Sequence, residues 1–415
     1  MLHDLFPAPQ QPQTRAKPAA CCITMHHSYG IHGENLMTMR ELTYQVSFNT
    51  PAFLGNAEQQ AQWRTPPFKA LLRQWWRVVK APQLKPPFNV DELRTAENAL
   101  FGAASDDGAD KSHRSLVRLR LTKDSGGGVG WENGAMKQWL AGGPSQFHPE
   151  VGEHGHQVGA ELYLGYGPLG FKAGQTAFNT IPNSDRQRTA IDTKTGACLR
   201  LIFPAEHHVD LSAAMQLAAL FGTLGSRSRN GWGALQLQAT GNGALAPTLL
   251  TRSGIANLAV TRPLSSCLQQ DWPHAIGHDR VGPLVWRTRI TGDARQVMLE
   301  LARIKIAFRT QPALSLDGVP AGTFSNRHFL AYPVTHHPVT GLEWGGQGRL
   351  ANQVRFKVLR EGNQLVGVIV HLPCRLPAAM AAGLPHQVRN NIDALQLQAW
   401  QDVHAMLDQL ATRLA

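Results

Sequence analysis

Residues 50–80 read TPAFLGNAEQQAQWRTPPFKALLRQWWRVVK, and the spacing of large apolar side chains here restricts the fold more than any other feature of the chain. Phe68, Leu71, Leu72, Trp75, Trp76 and Val79 recur at intervals of three and four, which puts them on one side of a helix that must face a core. Pro66 or Pro67 can open that helix, because its first turn has no use for the missing amide donor. Lys69, Arg73, Arg77 and Lys80 follow a similar spacing on another side, so the helix carries a basic stripe. On an isolated helix such a stripe is a solvated face snorkelling over the tryptophans. Here the turn Leu54-Gly55-Asn56 stands just upstream, and its backbone amides beside a cationic helix start suit an anion.

Alternating strands flank this helix. Leu42, Tyr44, Val46 and Phe48 alternate with polar residues over 41–49. Over 115–122, Val117, Leu119 and Leu121 face one way while Arg118 and Arg120 face the other, where they suit a phosphate-lined groove. Leu199, Leu201 and Phe203 alternate around Arg200, and a helix over 210–220 follows, with Asp210 as its N-cap. Leu235 and Leu237 begin a further strand. The second half repeats the pattern with a strand over 284–291 and a helix over 293–308 that buries Val297, Met298, Leu301, Ile304 and Phe308. A hairpin about Gly362 comes next, with Val354, Phe356 and Val358 inward and Arg355 and Lys357 outward, and a helix over 387–414 closes the chain. Strand, helix, strand, taken twice in the first half and restarted in the second, predicts an α+β protein of two tandem ferredoxin-like domains with loop insertions. The expected divisions are a disordered extension over 1–38, a first domain over 39–245, a second over 246–415, and a Gly- and His-rich surface insertion over about 124–175.

Between the second helix and the strand after it lies FGTLGSRSRNGWG, residues 221–233. Gly222, Gly225, Gly231 and Gly233 permit close backbone approaches, while Ser226, Arg227, Ser228 and Arg229, with Trp232 nearby, supply hydroxyls and guanidinium forks for phosphate oxygens. The loop is not a Walker loop, which needs Lys followed by Ser or Thr, nor a dinucleotide fingerprint, since it follows a helix. A purely structural hairpin is the alternative.

These runs together resemble the RAMP proteins of type III CRISPR effector complexes, in particular the first RAMP subunit of type III-B (Cmr) complexes. Thr50, Pro51, Gly55, Lys69, Leu72, Arg73, Trp75, Trp76 and Arg77 match the family's N-terminal signature, with Ala70 where a Gly is common. ENALFG at 97–102 and the glycine loop match further motifs. RLANQVRFKV at 349–358 is similar to a strand of the family's C-terminal half, with Asn352-Gln353 in place of Ser-Pro. The resemblance implies RRM-like RAMP modules and a non-catalytic subunit at the head of the effector. Such a subunit engages the 3′ region of the CRISPR RNA and the target RNA and contacts neighbouring RAMP subunits. The RNA-binding set would be Gly55, Asn56, Lys69, Arg73, Arg77, Arg118, Arg120, Gly225, Ser226, Arg227, Ser228, Arg229 and Trp232, gripping the backbone rather than reading bases. The alternatives are a metal-independent RAMP endoribonuclease, for which His113, His328 or His371 would be drafted, and a backbone RAMP of another type III complex.

Composition agrees. Forty Lys and Arg against 29 Asp and Glu give a formal charge of +11, which favours polyanionic partners. Five scattered cysteines without a CxxC pair argue against a disulfide scaffold or thiolate zinc site and fit a reducing cytoplasm. No metal is expected at Cys21, Cys22, His26 and His27, whose adjacent pairs cannot easily close around one ion, nor at His154 and His156. No cofactor motif, exported leader or membrane-length apolar run is present.

Overall fold

Alternating strands and one-sided helices need a shared apolar face, and a computed structural model shows how they find it. It describes residues 38–84, 89–104, 112–124, 139–172, 175–181, 186–243, 245, 250–342 and 349–414. The expected extension over 1–38, with Cys21, Cys22, His26 and His27, lies outside the described residues apart from Thr38.

The first module runs β1 (Met39–Phe48), α1 (Thr65–Lys80), α2 (Val90–Phe101), β2 (Arg118–Lys123), β3 (Ala197–Pro204), α3 (His208–Phe221) and β4 (Leu235–Thr240). Its sheet has the order β2-β3-β1-β4 with every pair antiparallel. The second runs β5 (Val285–Gly292), α4 (Ala294–Thr310), β6 (Val354–Glu361), β7 (Gln364–His371), α5 (Ile392–Leu410) and β8 (Thr412–Arg413), ordered β6-β7-β5-β8. These two orders are the same, and both are ferredoxin-like.

The layers follow from burial. One core joins the inner face of the first sheet (Tyr44, Val46, Leu201) to α1 and α3 and then to Val366, Val368 and Val370 of β7. The other joins Trp286, Phe356 and Ile369 of the same second sheet to α4 and α5. Sheet, helices, sheet and helices are therefore stacked, and the second sheet is covered on both sides. This corrects the outward placement of Arg355 and Lys357. Lys357 is 1% exposed, and its ammonium meets the carbonyl oxygens of Ala218, at 3.2 Å, and Ala219. Those carbonyls lie in the last turn of α3, where the helix dipole favours a cation. The Arg355 guanidinium lies 5.9 Å from the centroid of the Trp75 ring. Alternation separates two faces of a strand but does not say whether one of them meets water.

Three other expectations are corrected. Asp210 is not the cap of α3; the helix starts at His208, and Asp210 in its first turn faces Lys80 at 3.5 Å. The last helix ends at Leu410 rather than 414, and β8 then pairs with β5 at the sheet edge. The described part of the insertion is no exposed loop. It holds the hairpin Ser145–His148 with His156–Gly159 and the helix Ala160–Gly165. Its Leu140, Ala160, Leu164 and Leu169 are buried in the second core, and Glu161 pairs with Arg295 of α4 at 3.2 Å. Glycine richness suggested mobility, but the apolar positions between the glycines are what decide the packing.

Between β7 and α5, His371 and His404 are both buried, with Nδ1 of the first 2.9 Å from Nε2 of the second. Burial pulls His404 down to about 3, with Arg413 adding to the effect, and burial together with His404 holds His371 well below the ordinary imidazole range. Both rings are neutral in the fold, whereas the unfolded chain protonates them below about pH 6.5. The unfolded state then binds more protons, so stability is expected to fall as pH drops from about 6.5 toward 3. Urea midpoints measured at neutral and acid pH check this, and the decline is expected to be shallower in His371→Gln/His404→Gln.

Candidate nucleic-acid interface

The chain leaving β1 and the glycine loop before β4 are built as one unit. Thr50, fully buried, donates its hydroxyl to the Gly231 carbonyl at 2.7 Å and accepts from the Ala234 amide at 3.0 Å. Ser226 donates its amide to the Phe53 carbonyl at 3.0 Å. Such close pairing requires glycine: at Gly225 (φ +95°) a Cβ would stand 2.6 Å from the Phe53 oxygen, and at Gly233 (φ +60°) 1.9 Å from the Leu224 oxygen. On its other side the loop reaches the second module, where Phe356 of β6 donates to the Arg229 carbonyl at 3.0 Å.

Above this joint is a cleft of about 410 Å³ whose walls include Gly55, Asn56, Arg64, Arg188, Gly225 and Ser226. Asn56 closes the 54–61 turn, its side-chain oxygen accepting from the Gln60 amide at 3.0 Å. Pro67, in the first turn of α1, forms part of the wall, so the positive end of the helix dipole adds to the field. Among the described residues the cleft wall carries no carboxylate, and the Nε atoms of Arg64 and Arg188 are buried without a hydrogen-bond partner. Two donors left unmatched beside an opened backbone suit a phosphate oxygen. A second cleft of about 580 Å³, against β4, offers less, because its cations are engaged: Arg287 by Glu361 and Arg360 by Gln236 at 3.3 Å.

The sequence-predicted residues divide accordingly. Gly55, Asn56, Gly225 and Ser226 come together in the cleft. Lys69, Arg73 and Arg77 do not line it; they hold α2 against α1. Lys69 donates to the Phe101 carbonyl at 3.1 Å, and Arg73, at 2.6 Å, and Arg77 both grip Glu97, which is 5% exposed. Burial raises the Glu97 pKa, but the hydrogen bonds and charge of Arg77 and Arg73 outweigh it and hold the carboxyl below its usual range. Trp232 is wholly buried against Phe53 and Trp139. Half-buried Arg229 donates to the Asn352 carbonyl at 3.1 Å, so its fork faces the second module. Arg227 is exposed with φ +57°, beside half-buried Ser228. Arg118 and Arg120 project from the edge strand β2, on the sheet face away from the helices. That face offers Thr43, Gln45, Ser47 and Gln238 where a base-stacking surface would need aromatics. His328 and His371 are sealed inside, while exposed His113 bonds the Asn98 carbonyl at 2.7 Å. Among the described residues no group of His, Cys, Asp and Glu is arranged to hold a metal, and no helix is long and apolar enough to cross a membrane.

Sequence reasoning missed Arg64 and Arg188 as site residues. Nothing local marks them; they meet only because Ile191 pairs with Ala52 and draws residues 188–191 alongside the turn after β1.

The span from β1 to β4 that builds the cleft is the part of the chain with a family match: residues 46–236 fit the RAMP superfamily. Just under half of the chain, from β1 to β4, thus carries a RAMP-superfamily match. Among solved structures it is similar to Cmr1 from Pyrococcus furiosus in its apo form, at 13% identity and a TM-score of 0.42, covering 81% of this chain and 88% of that one. A chain of the type III-B Cmr-beta complex bound to cognate target RNA is similar at 10% identity and a TM-score of 0.43, with 88% and 99% covered. A chain of a type IV-B CRISPR complex follows at 11% identity and a TM-score of 0.27, with 51% and 94% covered. A comparison with curated proteins finds no match.

Replacing Glu97 by Gln leaves Arg73 and Arg77 without their counter-charge, and is expected to cost about 1–3 kcal/mol, less than a fully buried pair because both arginines are partly solvated. Denaturant titration of Glu97→Gln against the parent chain measures it.

Proposed function

We propose that this chain is a non-catalytic RNA-binding subunit of a type III-B-like CRISPR effector complex, engaging CRISPR RNA and target RNA beside other RAMP subunits. The observation that carries the reading is the cleft, where Arg64 and Arg188, with no carboxylate among the described wall residues, share the wall with the opened backbone at Gly55 and Gly225. Phosphates of a single strand are its natural occupant, because the unmatched guanidinium donors are set for oxyanions. Assembly with RNA and sibling subunits agrees with the family and with the complexes that supply the similar chains. Arg118 and Arg120 extend the cationic surface along β2.

Filter binding of a single-stranded RNA over a salt series tests this. Arg64→Ala/Arg188→Ala is expected to weaken binding at least tenfold at physiological salt and to reduce the log–log salt slope by about 1.4, roughly 0.7 for each phosphate no longer neutralised. Arg73→Ala/Arg77→Ala is expected to keep the parent slope while lowering thermal stability. Equal slopes for the first variant and the parent would remove the cleft from RNA binding.

A further inference from the structure

Behind the glycine loop, on the side of the second module, lies a group of cations that the cleft does not use. Lys305 and Arg309 sit one turn apart on α4, a spacing at which like charges repel. Arg327 comes from the turn Asn326–Phe329, and Arg227 reaches in from the glycine loop with its guanidinium against Gly167. Among the described residues Glu150 is the one carboxylate in the group, bound to Arg327 at 3.1 Å. The Lys305 ammonium bonds the Asn230 side chain at 2.9 Å and lies 5.2 Å from the centroid of the Tyr163 ring. Arg309 donates to the Tyr163 hydroxyl at 3.3 Å. Arg327 is 3% exposed and spends one nitrogen on the Leu314 carbonyl at 3.2 Å, yet its Nε has no partner.

We propose that Lys305, Arg309 and Arg327, with Arg227 at the rim, form a second oxyanion site that takes a phosphate group. Four cations around one carboxylate leave an excess of positive charge in a poorly hydrated place, and two outcomes can relieve it: loss of the Lys305 proton or arrival of an anion. Burial, and repulsion from Arg309, Arg227 and Arg327, hold the Lys305 pKa well below its ordinary range, and burial with Arg309, Arg327 and Lys305 lowers His148 against the pull of Glu150. The donors favour the anion: an unmatched buried Nε and an ammonium with a single side-chain acceptor are the hydrogen-bonding deficit that a phosphate oxygen satisfies. Arg309 and Arg227 are partly exposed and give the group its access from solvent.

The probe is inorganic phosphate on the full chain, read as melting temperature against potassium chloride at matched ionic strength. This does not depend on the RNA reading, so failure here and failure at the cleft are distinguishable. Phosphate is expected to raise the melting temperature of the parent chain by several degrees, saturably, and the rise is expected to disappear in Lys305→Met and shrink in Arg309→Gln. Arg309→Gln, partly exposed, keeps the test sound if the buried variant folds poorly. No phosphate-specific rise in the parent, or the same rise in Arg309→Gln, overturns the proposal; the former together with a more stable Lys305→Met means that Lys305 simply loses its proton. Given a phosphate response, RNA affinity in Arg309→Gln separates the sources: a loss shows that the phosphate belongs to the strand, and parent-like affinity that the site takes a free phosphate.

Discussion

A strand covered on both faces has no polar side to present, and β7, QLVGVIVH, is apolar at nearly every position for that reason. The second sheet is the plane against which both helical layers pack, α1 and α3 on one side and α4 and α5 on the other. Any cation entering that plane must find a partner inside the protein. Lys357 finds it at the end of α3 and Arg355 over Trp75, so two charges that cost most to desolvate also fix how the first module's helices meet the second sheet.

The basic character of the chain thus divides by location. Arg73 and Arg77 share Glu97, Lys357 caps a helix, and Arg229 faces the second module; all are structural in the plain sense that a protein acceptor fills their valence. Among the described residues the Nε atoms of Arg64 and Arg188 have no acceptor, and unlike the equally unpartnered Nε atoms of buried Arg327 and Arg355 they belong to side chains that line an open cleft. Formal charge is a poor guide to a phosphate site in this fold. The better guide is which donors are left over once internal partners have been counted.

Much of the architecture was legible in the residues. The two-residue alternation of β1 and β3, the three-and-four spacing of α1 and α4, and the Gly362 hairpin each announce themselves locally. The glycine loop was also legible as a place of close backbone approach, and Gly225 and Gly233 meet the Phe53 and Leu224 carbonyls there. Hidden from sequence were the facts that depend on distant pairing. Arg188 is brought to Arg64 by a bridge between residues 52 and 191, and the insertion lies against α4 through Glu161 and Arg295. The basic stripe of α1 looked exposed because nothing in its own spacing shows that Glu97 is waiting across the helix.

The glycine loop is held at two points: its Ser226 amide on Phe53, and its Arg229 carbonyl on the Phe356 amide of β6. The floor of the cleft and the outer strand of the second sheet therefore share one short length of main chain. Any displacement of β6 would be felt at the cleft floor through residues 226–229, and an occupant of the cleft would resist it along the same tether.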